Sequence, residues 1–242
     1  MAADIFFLSG ILVIAFLYSG VGHGGASGYL ALMAISGYLP DTIRPSALVL
    51  NLFVSGIAAY AFYKNGHLKF NLLWPFILTS IPLAFVGGSI DIDPKLYKTI
   101  LGIFLLIAIL RMLFKPASST ELKEVKIWLA LSIGAFLGFL SGLIGIGGGI
   151  ILSPLIILLA WGNQKETAAV SAIFIFVNSS AGLSGYLLNN SINNHFIILM
   201  VVFAVIGGIL GSYFGSFKLN EKYMRYALAF VLVVASFKLI LI

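Results

Sequence analysis

The groups best placed to do chemistry in this chain are two glycine-rich clusters with similar spacing. One is Ser19-Gly20-Val21-Gly22-His23-Gly24-Gly25; the other is Ser141-Gly142-Leu143-Ile144-Gly145-Ile146-Gly147-Gly148-Gly149. Where a helix stops and another starts in an apolar setting, the new helix presents unpaired N–H groups and a positive dipole end. Glycine lets the backbone turn there and come close to a ligand. Gly22, Gly24, Gly25, Gly145, Gly147, Gly148 and Gly149 are therefore expected to form cradles for an anion, without any arginine in the site. The other use for such glycines is close helix–helix contact, and Gly24 and Gly28 have the spacing for it.

His23 is the one titratable residue inside a cluster, and Ile146 stands in its place in the second copy. It has the chemistry to carry a proton or to donate to an anion. A neutral ring bonded to a carbonyl would look the same in the sequence. Ser46 and Asn51 in one half, and Ser171 and Asn178 in the other, fall one or two turns into the helix after each cluster. They either line the site or hydrogen-bond across helices. All eight acidic residues fall in loops or at helix ends, and the basic residues do likewise. No carboxylate is expected at a bilayer midplane, so neutral groups and backbone would have to hold a polar solute.

Lipid is the environment that the elements around these clusters require. The chain has 242 residues, of which 61% are hydrophobic and 9% charged, and its mean hydropathy is +1.11. Soluble domains carry about 25% charged residues. The clusters break two charge-free stretches, Ile5 to Pro40 and Ile127 to Gln164, each of 36 residues or more. A straight helix of that length would run roughly 54 Å, against a hydrocarbon core of about 30 Å. Each stretch must fold back, with half-helices starting near Ala26 and Ile150 and Pro154 near the start of the second. Paired, glycine-interrupted segments of this kind mark the binding site of a secondary transporter.

Six further helices are expected at about 43–63, 71–90, 95–114, 167–188, 195–216 and 221–242, between polar breaks. Trp74, Trp128, Trp161, Tyr38 and Tyr63 lie near their ends and read as interfacial anchors. Met1-Ala-Ala-Asp4 has no basic residue before the apolar run, so no cleaved leader is expected. No cysteine occurs, which excludes disulfide and thiolate chemistry, and no metal or cofactor is expected. The net charge of +6 lies in loops and reports orientation rather than nucleic-acid binding.

The halves repeat. Gly22, Gly24 and Gly25 recur 123 residues on, Ser46-Ala47 recurs at 125, and Lys95, Lys98 and Arg111 recur in charge at Lys222, Arg225 and Lys238, all at 127. The expected units are residues 1–114 and 127–242, joined by the hydrophilic linker 115–126. If each broken stretch crosses the bilayer once, the basic residues split seven against seven; if each folds back, ten against four. The second obeys the positive-inside rule. The expected fold is thus an all-α polytopic membrane protein with two inverted-topology repeats. Each repeat is a glycine-broken hairpin followed by three transmembrane helices. Both termini lie outside and the linker is cytoplasmic. The expected partners are a small anion and the lipid bilayer, and a homo-oligomer is compatible with them.

The chain resembles the TauE/SafE family of sulfite and sulfur-compound exporters over nearly its whole length. The resemblance rests on Gly145-Ile146-Gly147-Gly148-Gly149-Ile150-Ile151-Leu152-Ser153-Pro154 and on Glu166-Thr167-Ala168-Ala169-Val170-Ser171-Ala172. The first half departs from the family pattern, with Ala26 at the third glycine, Ala31 at the proline and His23 among the glycines. The resemblance implies export of sulfite or organosulfonates across the plasma membrane. A rival reading is an intramembrane serine hydrolase, since Gly25-Ala26-Ser27-Gly28 and Gly182-Leu183-Ser184-Gly185 are similar to the rhomboid serine element, with His23 and His195 as bases. An accessory subunit without transport of its own is the third.

Overall fold

The chain was analysed as a computed structural model, which describes residues 2–20, 22–113, 122–192 and 194–215. Among these residues there are nine α-helices and no strand. The first broken stretch is α1 (Ala2–Gly20) and α2 (Ala26–Ile35); the second is α6 (Ile127–Ile144) and α7 (Gly149–Leu158). Between them lie α3 (Pro40–Lys64), α4 (Phe70–Ser89) and α5 (Pro94–Leu113), and after them α8 (Gln164–Tyr186) and α9 (Ile197–Gly215). Both expected half-helix starts hold to within one residue. The helix expected at 221–242, with Lys218, Lys222, Arg225 and Lys238, lies outside the described residues.

Local chemistry explains the full-length helices. Pro40 opens α3 at a position whose N–H has no helical partner. Asn163 caps α8: its side chain accepts from the Lys165 and Glu166 amides, and Glu166 accepts from the Asn163 amide in return. Among the described residues, four helices (α3, α4, α6 and α8) are long and apolar enough to cross a membrane.

The helices pair across the halves. α4 lies along α6, α9 lies along α1, and α3 crosses α8. If the halves repeat as the sequence offsets lead one to expect, α1 would correspond to α6, α3 to α8 and α4 to α9, and each pairing would have a counterpart. Small residues set the approach. A methyl group on Gly142 would strike the Ala84 carbonyl, and one on Gly211 would strike the Phe16 carbonyl. Such backbone contact is how helices associate in lipid, where apolar burial gives little drive.

Two of the sequence expectations change. Trp161 is not an interfacial anchor. The chain folds back after α7, its amide bonds the Ile156 carbonyl, and its ring is buried 6.2 Å from Phe76. Trp128, by contrast, is 84% exposed, as an anchor should be. Pro154 stands in the second turn of α7 rather than at its start.

Candidate substrate site at the glycine breaks

Both breaks are built by glycines in the left-handed region. Gly22 and Gly25 in the first, and Gly145, Gly147 and Gly148 in the second, have φ between 73° and 93°. Any other residue would be strained there. Gly25 and Gly148 are the N-caps of α2 and α7, and neither helix has a side-chain cap. The first amides of both half-helices thus have no side-chain cap, although the Ile151 amide of α7 bonds the Gly148 carbonyl at 3.3 Å.

What lies between the breaks is Asn51, from the middle of α3. A methyl group on Gly24 would stand 2.7 Å from Asn51 Oδ1 and 2.9 Å from Ile175 Cγ2. One on Gly147 would stand 2.7 Å from Asn51 Nδ2 and 3.0 Å from Ile175 Cγ2. The two breaks, more than a hundred residues apart in the chain, thus straddle one amide and one isoleucine. Asn51 Nδ2 donates to Ser179 Oγ at 3.3 Å, while Asn51 Oδ1 has no hydrogen-bond partner and the residue is fully buried. A buried polar atom without a partner costs about 1–3 kcal/mol, so it marks a place where a further group is wanted.

The other expected site residues fall around this centre. Gly148 packs on Phe174 and Gly149 on Ile175, both of α8, and Gly25 packs on the Tyr29 hydroxyl. Gly22 lies against Ala168 and Phe62. His23 Nε2 is 2.9 Å from Ser153 Oγ, which is 2.7 Å from Ser171 Oγ. The first break is thereby joined to α7 and α8 of the second half. Asn178 Nδ2 donates to the Phe174 carbonyl one turn back, and its Oδ1 is buried without a partner. Ser46 is not joined to this chain: its hydroxyl accepts from Asn194. All twelve expected site residues except the half-buried His23 are buried.

Four participants were not singled out from the sequence as site residues. Ser153 stands in the most family-like stretch, and its position four residues past Gly149 was the available signal. Tyr29 has a buried, unpartnered hydroxyl. Arg44 and Tyr97 brace the second break. Arg44 is only 3% exposed, although it lies near a helix start as expected. Its Nε donates to the Gly142 carbonyl at 3.1 Å, Nη1 to Ile90 at 3.0 Å, and Nη2 to Gly87 at 2.8 Å and to Gly88. The Tyr97 hydroxyl donates to the Ile144 carbonyl, the last residue before the break, at 3.1 Å. The serine-hydrolase arrangement is not assembled at Ser27, whose hydroxyl pairs with the Tyr18 hydroxyl at 2.5 Å. Ser184 and His195 are both exposed.

Comparison with known proteins agrees with this architecture. The family model described as sulfite exporter TauE/SafE matches residues 6–239. A probable membrane transporter protein of Sinorhizobium fredii is 35% identical over 233 residues, 94% of either chain. One of Bacillus subtilis is 24% identical over 224 residues, 83% of this chain and 81% of its own. One of Methanocaldococcus jannaschii is 30% identical over 162 residues, 63% and 60% respectively. No solved structure matches. With a family match over nearly its whole length and helices able to span a bilayer, this chain belongs to the TauE/SafE sulfite exporter family of membrane transporters.

Proposed function

We propose that the protein exports a small oxyanion, sulfite or an organosulfonate, which it holds between the two glycine breaks. The observation that carries this reading is the convergence of Gly24 and Gly147 on Asn51. Two helix N-termini without side-chain caps supply N–H donors suited to negative charge. The Asn51 amide beside them offers Nδ2, which donates weakly to Ser179 at 3.3 Å, while its unpartnered Oδ1 accepts and would take the proton of a protonated substrate. The breaks are shut in this structure, with Asn51 and Ile175 filling the space between them, as in an occluded step of alternating access. The substrate class comes from the family's name, and the cradle chemistry is compatible with it.

The same reading takes residues 1–114 and 127–242 as inverted repeats about the cytoplasmic linker 115–126, with both termini outside the plasma membrane. The paired contacts, α4 on α6 and α9 on α1, support it, because an axis relating the halves generates one from the other. The ten-to-four charge split supports the orientation. With no carboxylate at the breaks, transport runs as uniport or couples through His23 or a protonated substrate, without sodium.

The test is anion flux in liposomes holding only this chain, with sulfite, sulfate, sulfoacetate and acetate, with and without a pH gradient. Sulfite or sulfoacetate flux that is lost in a folded Gly147→Val variant is the expected result. Unchanged flux in that variant would refute the site, and no flux of any anion in the native chain would favour an accessory role.

A further inference from the structure

Among the described residues the two breaks are held in different ways, and the difference centres on Arg44. At the first break, α1 is closed by its own backbone: Gly22 N–H bonds the Ser19 carbonyl and His23 N–H bonds Tyr18. At the second, Gly145 N–H bonds Ser141, but the Gly142 and Ile144 carbonyls are taken by side chains from the other half of the chain. A buried guanidinium in a lipid-embedded protein is costly unless its donors are used. The four hydrogen bonds recorded for Arg44 all go to main-chain carbonyls, three at the end of α4 and one at the end of α6. These are the carbonyls a helix leaves unpaired, at its negative dipole end. The guanidinium also lies over the Tyr186 ring, 5.1 Å from its centre.

Arg44 therefore joins three helix ends at one point: the start of α3 and the ends of α4 and α6. Its own carbonyl lies 3.0 Å from where a methyl group on Gly145 would stand. Beside Arg44 is a cavity of about 130 Å³, lined by Asp41, Asp91, Tyr97, Tyr186 and Asn190 among others. The two aspartates there outnumber the one arginine, so the cavity itself is a poor anion site. By the repeat offset that matches Ser46 to Ser171, the counterpart of Arg44 is Ala169, which has no side-chain donor.

We infer that Arg44 is a one-sided latch: a positioning residue that shuts the end of the molecule carrying the Gly145 break, which opens to that end only when the guanidinium leaves Gly142. The aromatic face of Tyr186 and the adjoining cavity give the side chain a place to swing. The inference builds on the proposed transport cycle, but its first readout needs no transport.

The absence of cysteine makes single thiol reporters clean. Ser141→Cys reports on the second break and Ser19→Cys on the corresponding place before the first; both serines are at most 1% exposed. Each is combined with native Arg44, Arg44→Met or Arg44→Lys in lipid-reconstituted protein, and labelled by a water-soluble thiol reagent on both faces. With Arg44→Met, labelling at position 141 rises at least about tenfold, the ratio that one lost charge-assisted hydrogen bond allows, while position 19 is unchanged. Arg44→Lys, which keeps a cation but not the fork, restores at least half of the protection on a logarithmic scale. Equal rises at both positions would mean general loosening, and no rise at either would mean no latch; both overturn the inference. Native flux with normal labelling ratios would leave the proposed function standing, so the two failures are distinguishable.

Discussion

The two glycine breaks share a spacing but not a support. The first closes on its own backbone and leans on apolar neighbours, Ala168 and Phe62, with His23 reaching across to Ser153. The second is pinned at Gly142 and Ile144 by Arg44 and Tyr97. Among the described residues, side chains of the other half hold main-chain carbonyls only at the second break, while at the first the contact across halves is His23 to Ser153. Alternating access needs two ends that open in turn, so unequal fastenings set which end is closed at rest.

Changes that break both cradles alike should have the largest effect. Gly24→Val and Gly147→Val each drive a branched side chain into Asn51 and Ile175 and should each reduce liposome flux by more than about a hundredfold, since misplacing binding groups by an ångström costs about that much. A variant that still migrates as a folded species on size exclusion makes the comparison valid. If only one of the two matters, the cradles do not share a ligand.

Removing the clamp should separate the two ends. Arg44→Met leaves carbonyls of α4 and α6 without their charged donor and should cost about 2–3 kcal/mol in denaturant unfolding in mixed micelles. Ala169→Gly, at the matching buried place, removes no hydrogen bond and should cost only about 1 kcal/mol if the first end needs no clamp. Tyr97→Phe removes one hydrogen bond, to Ile144, and should cost about 1–2 kcal/mol in the same assay. A Tyr97→Phe effect as large as that of Arg44→Met would shift the weight of the clamp to the tyrosine.

The smallest change tests the link between the breaks. Ser153→Ala cuts the path from His23 to Ser171 and should lower stability by only about 1 kcal/mol. If His23 couples transport to protons, the same variant should lose the acceleration by a pH gradient while keeping flux at equal pH. Acceleration that survives in Ser153→Ala would separate His23 coupling from the Ser153 contact.

Much of the frame was legible in residue order. The charge-free stretches were too long to span once, and the glycines marked where they fold, so α2 begins at Ala26 as the pattern requires. The burial of Arg44 was not legible, because its place in the chain says only that it is near a helix start. Nothing local shows that the ends of α4 and α6 close over it. Trp161 misled for the same reason: a tryptophan at a helix end reads as an anchor until the turn after α7 carries it inward against Phe76. Ser153 was hidden by its apolar surroundings, Ile151, Leu152 and Pro154, which read as plain lipid-facing helix. The two alternatives left open for the serines separate here, since Ser171 bonds Ser153 beside the breaks while Ser46 accepts from Asn194.

The central claim is that both breaks serve one ligand, and calorimetric titration of the purified chain with sulfite tests it most directly. The account predicts one anion bound per chain, with affinity weakened at least about tenfold by Asn51→Leu, whose amide the two breaks share. Two anions per chain, or an affinity indifferent to Asn51→Leu, would contradict it.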